Sequence, residues 1–321
     1  MKATAKAHPM QALIKYHGLR DWEQRIPYHD SISVNVEALH TTTRVEFGDF
    51  ESDQAIVDGF PITGRPLERI LTVIDTVRRL ASIEERVRVE SWNSLPGGSA
   101  KGLGFSAAAG AALAAAAYKA AGLDRSLGWD TRLLSRIARR LAGSACRSVV
   151  GEYARWYAGT CDEDSYAVRI AGKEELDLAM LIIPFRAELS TEEAHREAEL
   201  SAFFQARCVS AQKRCDELEA AIQDGDLRRF GELVELDTLE LHAVTMTGPK
   251  RLILTSPDSL KVVELVKQLR GEGVECFYSM QTGPSVFINT AWEDMEYVNA
   301  QVEELGYRAI RSGIGGPVKA E

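Results

Sequence analysis

The segment that most restricts how this chain can fold is a glycine-rich turn running directly into an alanine helix. Residues 96–104 read PGGSAKGLG, and from Phe105 to about Ala121 most residues are alanine. Glycines let a backbone turn its N–H groups toward a ligand, and a helix N-terminus adds about half a positive charge. With Ser106 offering a hydroxyl at the helix start, the segment is a candidate phosphate cradle. The alternative is a loop that only packs closely against a sheet. It is not a Walker loop, because no GK[ST] follows at the required spacing. Gly102, Gly104 and Ala107 satisfy GxGxxG/A with Asp124 downstream, yet no β-branched strand separates Ala107 from Asp124. The dinucleotide reading is therefore rejected. The apolar stretch Ala107–Tyr118 is too short to cross a bilayer.

Around this segment the pattern is that of an α+β protein. Residues 31–47 alternate as two strands, 55–63 form a hairpin about Asp58-Gly59, and 65–81 carry apolar residues at helical spacing. A strand is expected at 87–92, helices at 129–142 and 144–157, and a buried strand at 178–185. Helices follow at 190–206, 207–223, 227–244, 258–271 and 292–305, with strands at 274–280 and 284–290 and a last strand near the end. We place the domain division at 1–186 and 187–321.

Composition narrows the function class. Of 321 residues, 45% are apolar and 26% charged, as in a globular protein. The 47 Asp and Glu outnumber the 38 Lys and Arg, giving a net charge of −9, which argues against a nucleic-acid partner. Five cysteines, odd in number and without a CxxC pair, fit reduced thiols in a cytoplasm and neither a disulfide framework nor a zinc site. The first residues lack the apolar core of a signal peptide. A soluble, cytoplasmic protein without membrane partners is expected.

Two further segments carry chemistry. In Gly143-Ser144-Ala145-Cys146-Arg147-Ser148, small residues surround one arginine, as where a guanidinium reaches into a tight space to hold a carboxylate or phosphate. A helix-capping arginine reads the same. Cys146 reads as a small buried apolar residue. In Ala12-Leu13-Ile14-Lys15-Tyr16-His17-Gly18, a lysine inside an apolar run must find an anion or reach out to water. His8, His17, His29 and His40 form no HxH or HExxH pattern, so no metal centre built from histidines is assigned.

Taken in order, Ala5-Lys6-Ala7, Ala12 to Tyr16, Asp30 to Val34, the Gly102-Leu103 turn opening on Ser106-Ala107-Ala108, and Gly143 to Ser148 resemble the mevalonate diphosphate decarboxylase family of the GHMP kinase superfamily. Asp237 with His242-Ala243 and then Thr282-Gly283-Pro284-Ser285 extend the likeness over nearly the whole chain. Lys6 to Pro9, Lys15 to Gly18, Pro27 to Asp30 and Glu192 to Ala198 look more like the phosphomevalonate decarboxylase branch of archaea and some bacteria. The diphosphate enzymes carry Trp-Gly-Lys where this chain has His17-Gly18-Leu19, and a serine-rich stretch before Gly-Met where it has Ser190 to Glu199. A cation missing at position 19 fits a less anionic substrate.

The resemblance implies a two-domain GHMP fold, with a ribosomal protein S5 domain 2-like N-terminal domain and a ferredoxin-like C-terminal domain. It implies a carboxy-lyase that uses ATP and Mg²⁺ to convert (R)-5-phosphomevalonate into isopentenyl phosphate, ADP, phosphate and CO₂ in an alternative mevalonate route to isoprenoids. It also implies a homodimer, with Mg²⁺ bound mainly through ATP. By motif, Arg147 holds the substrate carboxylate, Ser144 orients it, and Lys15 and Tyr16 meet the 3-hydroxyl and the transferring phosphoryl. Ser91, Asn93, Gly102, Leu103 and Ser106 cradle ATP, while His195, Arg196 and Thr282 are further substrate neighbours.

One motif departs from the family. Its TFDAGPN-like segment reads Ser279-Met280-Gln281-Thr282-Gly283-Pro284-Ser285, with Gln281 at the aspartate position. An amide is no base at neutral pH. Phosphoryl transfer loose enough to need only an orienting amide is one explanation. Others are a half-reaction enzyme (a 3-kinase or an ATP-independent bisphosphate decarboxylase), a substitution made to trap a complex, a diphosphate-using decarboxylase, or a GHMP-fold binding protein without activity. The full decarboxylase is favoured because the other motifs are intact.

Overall fold

The computed structural model describes residues 1–95, 102–188 and 190–321; the Pro96–Lys101 part of the glycine turn lies outside them. The chain opens with two strands that periodicity did not reveal, β1 (Lys2–Ala7) and β2 (Met10–Ile14). The expected pair follows as β3 (Ser31–Asn35) and β4 (Thr41–Gly48), then the hairpin β5 (Gln54–Val57) and β6 (Phe60–Pro61). Helix α1 (Arg65–Ala81) starts with proline in its first turn and buries Val73, Ile74 and Val77. After β7 (Arg86–Asn93) comes α2 (Phe105–Ala120), whose alanines are buried on nearly every face. A helix apolar all round belongs inside a protein, and α2 packs between β1 and β4 on one side and later helices on the other.

The next helices are α3 (Leu123–Ser126), α4 (Thr131–Arg139), capped by the Asp130 carboxylate, and α5 (Ala145–Val150). The helix expected over 144–157 is corrected here: α5 ends at Val150, and β8 (Tyr153–Trp156) begins three residues later. Gly151 and Glu152 both adopt positive φ (74° and 50°), which reverses the chain. Gly151 is required there, because a Cβ would lie 2.2 Å from the Pro317 nitrogen. Strands β9 (Ala167–Ala171) and β10 (Ala179–Ile183) complete this half. Helices α6 (Thr191–Glu199), α7 (Phe204–Gln223), α8 (Leu227–Met246) and α9 (Pro257–Gly271) come next. The first break falls at 200–203, four residues earlier than the pattern indicated. The chain closes with β11 (Cys276–Met280), β12 (Val286–Thr290), α10 (Met295–Glu304), β13 (Ile310–Ser312) and β14 (Lys319–Ala320).

Three sheets result, ordered β14-β1-β4-β7-β5-β6, β2-β3-β8-β9 and β11-β12-β10-β13. The last, with α9 and α10, has the strand order of a ferredoxin-like unit. Strand β10 belongs to it although it precedes residue 186, and β14 returns to the first sheet. Among the described residues no helix is long and apolar enough to cross a membrane.

Candidate active site

Five structural elements converge on one cleft. Strand β2, bulged between Ala12 and Ile14, runs out into Lys15 and Tyr16. The N-terminus of α2 brings Gly102 to Ser106, Ser144 stands at the N-cap of α5, α6 supplies His195, and Gln281 and Thr282 follow directly on β11. The cleft has two lobes. A lobe of about 240 Å³ is lined by Lys15, Asn93, Gly102, Leu103, Gln281 and Thr282 among others. One of about 470 Å³ is lined by Leu19, Trp22, Arg25, Arg69, Gly143 and Glu192 among others. Tyr16, Ser106, Ser144, Thr191 and His195 face both.

The smaller lobe fits a nucleotide's phosphates. Gly102 and Gly104 have φ of 87° and 77°, and a Cβ on Gly104 would meet the Met10 carbonyl at 2.5 Å. The turn is thereby pressed onto β2, at the start of a 16-residue helix whose first N–H groups have no earlier turn to bond. Asn93 is fixed by Asp58, which accepts from its backbone N–H at 2.8 Å and its Nδ2 at 2.9 Å. Ser91 lies on β7 with its hydroxyl buried against Thr43 Oγ1 at 2.9 Å. Among the described residues no group of three or more His, Cys, Asp and Glu could hold a metal ion.

The larger lobe is cationic. Arg25 and Arg69 face it, anchored by donation to the carbonyls of Arg140 and Leu141 respectively. Glu192 is its acid, ion-paired to Arg65. His195 is sandwiched between Tyr16 (ring centres 4.9 Å) and His17 (4.4 Å), and its Nδ1 accepts from the Gly18 N–H at 2.9 Å. Burial, reinforced by Lys15 and Arg25, pushes its pKa well below the ordinary histidine value. It is neutral, with its hydrogen on Nε2. Arg196 stacks 4.0 Å over Trp22 and sits 3.6 Å from Glu192 at the rim, with its side chain largely exposed.

Arg147 lies deeper than its motif implies. It is fully buried, and its Nε, Nη1 and Nη2 find no hydrogen-bond partner among the described residues. Its guanidinium lies 5.7 Å from the Tyr16 ring centre and 6.0 Å from that of Trp156. A buried cation without a counterion is costly and awaits an anion. Lys15 stands nearby, with its pKa lowered to about 7 by burial first and Arg147 second, against a partial pull from Asp237. Asp237 is occupied elsewhere: it pairs with Arg207 at 2.6 Å and Arg214 at 3.3 Å, and accepts the Lys15 backbone N–H at 3.0 Å. Cys146 is buried, with its thiol pushed up to about 12, as an inert side chain should be.

Sequence reasoning missed Arg25, Arg69, Trp22 and Glu192. The Arg65–Arg69 spacing on one face of α1 was the available signal for Arg69; Arg25 lay in a polar loop without pattern.

The fold and this cleft define a GHMP-type two-domain protein with a two-lobed cleft at the N-terminus of its central helix. A model of the diphosphomevalonate decarboxylase-like N-terminal domain matches residues 7–167, and one of the mevalonate 5-diphosphate decarboxylase C-terminal domain matches residues 186–309. The chain belongs to the diphosphomevalonate decarboxylase family. It is 43% identical to the phosphomevalonate decarboxylase of Haloferax volcanii over 99% of this chain and 97% of that protein. With diphosphomevalonate decarboxylase mvd1 of Aspergillus fumigatus it shares 30% identity over 95% of this chain and 80% of that one. Among solved structures, the mevalonate diphosphate decarboxylase of Enterococcus faecalis superposes with a TM-score of 0.91 at 31% identity, over 100% of this chain and 99% of that one. A structure described as MDDEF in complex with MVAPP, AMPPCP and magnesium gives 0.92 at 31% identity, over the same shares of the two chains.

Proposed function

We propose that this protein is an ATP-dependent phosphomevalonate decarboxylase, converting (R)-5-phosphomevalonate to isopentenyl phosphate with release of ADP, phosphate and CO₂. The observation that carries the reading is the shared wall: Tyr16, Ser106, Ser144 and His195 face both a helix-N-terminal lobe and a cationic lobe. A nucleotide in the first and a phosphorylated acid in the second would meet at that wall. Mg²⁺ bound to ATP supplies charge neutralisation of the triphosphate.

A tertiary hydroxyl is a poor leaving group until it is phosphorylated. The helix terminus and its glycines hold the nucleotide phosphates, Arg147, buried beside the Tyr16 ring, draws in the substrate carboxylate, and Ser144 orients it. Arg25, Arg69 and the Nε2–H of His195 hold the 5-phosphate. Loss of the 3-phosphate leaves electron demand at C3, and loss of CO₂ fills it to form the alkene. Positioning and charge stabilisation do nearly all of this work.

Charge favours the monophosphate. Arg25 and Arg69 are opposed by Glu192, His195 is neutral, and buried Leu19 contributes no cation. A second phosphate would bring more negative charge into a lobe whose lining cations among the described residues are Arg25 and Arg69. We further place the enzyme in the cytoplasm, supported by five free cysteines, and read it as a homodimer of chains divided near residue 186, on the resemblance alone.

Competition between the two substrates tests the reading. With ATP and Mg²⁺ present, kcat/KM should favour 5-phosphomevalonate over its diphosphate by about tenfold or more, a difference of about 1.4 kcal/mol. A preference for the diphosphate would overturn it.

A further inference from the structure

Gln281 leaves the proposed reaction without a place for one proton. Attack by the C3 hydroxyl on phosphorus frees its hydrogen, and an amide cannot hold it. The Gln281 side chain is also committed: its Nε2 donates to the Met10 carbonyl at 3.2 Å and the Gly102 carbonyl at 3.1 Å. Its Oε1 remains as an acceptor that orients and nothing more.

Among the described residues the other titratable groups on the same lobe are Tyr16 and His195, and both are unsuited. Burial raises the Tyr16 hydroxyl above its ordinary pKa, so it keeps its proton. His195 already uses its Nδ1 lone pair to accept from Gly18 and bears its hydrogen on Nε2. Lys15 remains. Among the described residues its hydrogen bonds are made by its backbone, to Asp237 and from Arg207, and Lys15 lines the lobe beside Gln281 and Ser106. The Asp237 carboxylate beside it is held by two arginines.

We propose that Lys15 is the general base: its neutral amine takes the C3 hydroxyl proton as that oxygen attacks the γ-phosphorus of ATP, while Gln281 only orients the hydroxyl. The bond formed joins O3 to Pγ. The bond broken joins Pγ to the β–γ bridging oxygen, and its electron pair leaves on ADP. The C3–O bond then breaks with its pair departing on phosphate, the bond to the carboxylate carbon supplies the pair of the new alkene, and CO₂ leaves. The Lys15 ammonium returns its proton to the departing phosphate. Proton transfer creates this cation beside the transferring phosphoryl, where negative charge collects.

The surroundings suit the role. Burial first and Arg147 on α5 second oppose protonation of Lys15, Asp237 on α8 favours it, and the balance leaves the amine near 7. His17 in the same loop and His195 on α6 are held well below their ordinary value, and His242 on α8 is lowered to about 4, so all three are neutral. Arg207 on α7 adds a further cation at the Lys15 carbonyl. A base titrating near the working pH is the most effective one.

The proposal rests on the decarboxylase reading, and the test separates the two. For the full-length protein with saturating Mg·ATP, kcat/KM for 5-phosphomevalonate is measured from pH 5.5 to 9 in wild type, Lys15→Arg, Gln281→Asp and the double variant. The wild-type value should fall about tenfold per pH unit below about 7, as Lys15 takes up its proton. Arginine keeps the charge but cannot act as a base, so Lys15→Arg should lose about 10²- to 10⁴-fold. Adding Gln281→Asp to it should restore at least about tenfold and move the acid limb below pH 6. Should Lys15→Arg fail to fold, Lys15→Ala takes its place: recovery of activity with added methylamine supports the base assignment, and no recovery overturns it. CO₂ release by Lys15→Arg at the wild-type rate and pH profile overturns the base assignment alone, as does an acid limb near 7 that persists in the double variant. No CO₂ from wild type overturns both readings.

Discussion

The backbone N–H of Gly18 donates to Nδ1 of His195 at 2.9 Å, joining two residues 177 positions apart. This bond fixes the imidazole tautomer, so His195 presents an N–H and not a lone pair to the cleft. It also ties the loop after β2, which carries Lys15 and Tyr16, to the start of the C-terminal half.

Replacing His195 should therefore cost binding more than chemistry. His195→Phe keeps the stack on Tyr16 and His17 but removes the donor, so KM for the phosphorylated acid should rise about tenfold with kcat changed far less. His195→Gln, which keeps a donor, should recover most of the loss. Steady-state kinetics on both variants check this. Because His195 is neutral in the folded protein, the KM effect should be constant from pH 6 to 8.

Arg147 separates function from stability. Its unpartnered guanidinium is a burden on the folded protein without substrate. Arg147→Met should lower kcat by about a thousandfold or more while leaving the melting temperature unchanged or higher. Melting curves and single-turnover CO₂ release on the same preparation test both halves. A sharp drop in melting temperature would make Arg147 a structural residue.

Among the described residues of the turn, Gly104 is the least replaceable. An added Cβ would strain φ of 77° and press on the Met10 carbonyl, so Gly104→Ala should destabilise by about 2 kcal/mol and raise KM for ATP. Chemical denaturation gives the first quantity and ATP titration the second.

Acid should unfold this protein through its histidines. Burial lowers His29 to about 3 and His242 to about 4, and His17 and His195 also lie well below the ordinary 6.5. The unfolded chain then binds protons that the folded one refuses, so stability falls as pH drops below 6.5 and levels off only under the folded values. For His29 and His242 the loss by pH 5 is roughly 2 kcal/mol each. His29→Asn should flatten the decline of melting temperature between pH 6.5 and 5.

Much of this was readable from local signals. The hairpin at Asp58-Gly59, the amphipathic α1 and the turn into α2 each announce themselves through residue type and period. Strand β1 did not, because KATAKA alternates lysine with alanine and carries a single β-branched residue. The helix misread over 144–157 failed because helical small residues run into Tyr153–Trp156 with only Gly151 between as a stop. In the site, Lys15, Tyr16, Ser106, Ser144, Gln281 and Thr282 came from contiguous motifs and do meet in one cleft. Arg25 and Arg69 arrive there only through packing, Arg25 from a left-handed loop position (φ 58°) that no periodicity encodes.

The reaction's stoichiometry tests the account most directly. Purified protein incubated with Mg·ATP and (R)-5-phosphomevalonate should release CO₂, ADP and phosphate in equal amounts and leave isopentenyl phosphate. ADP formed without CO₂, or CO₂ formed without ADP, would contradict it.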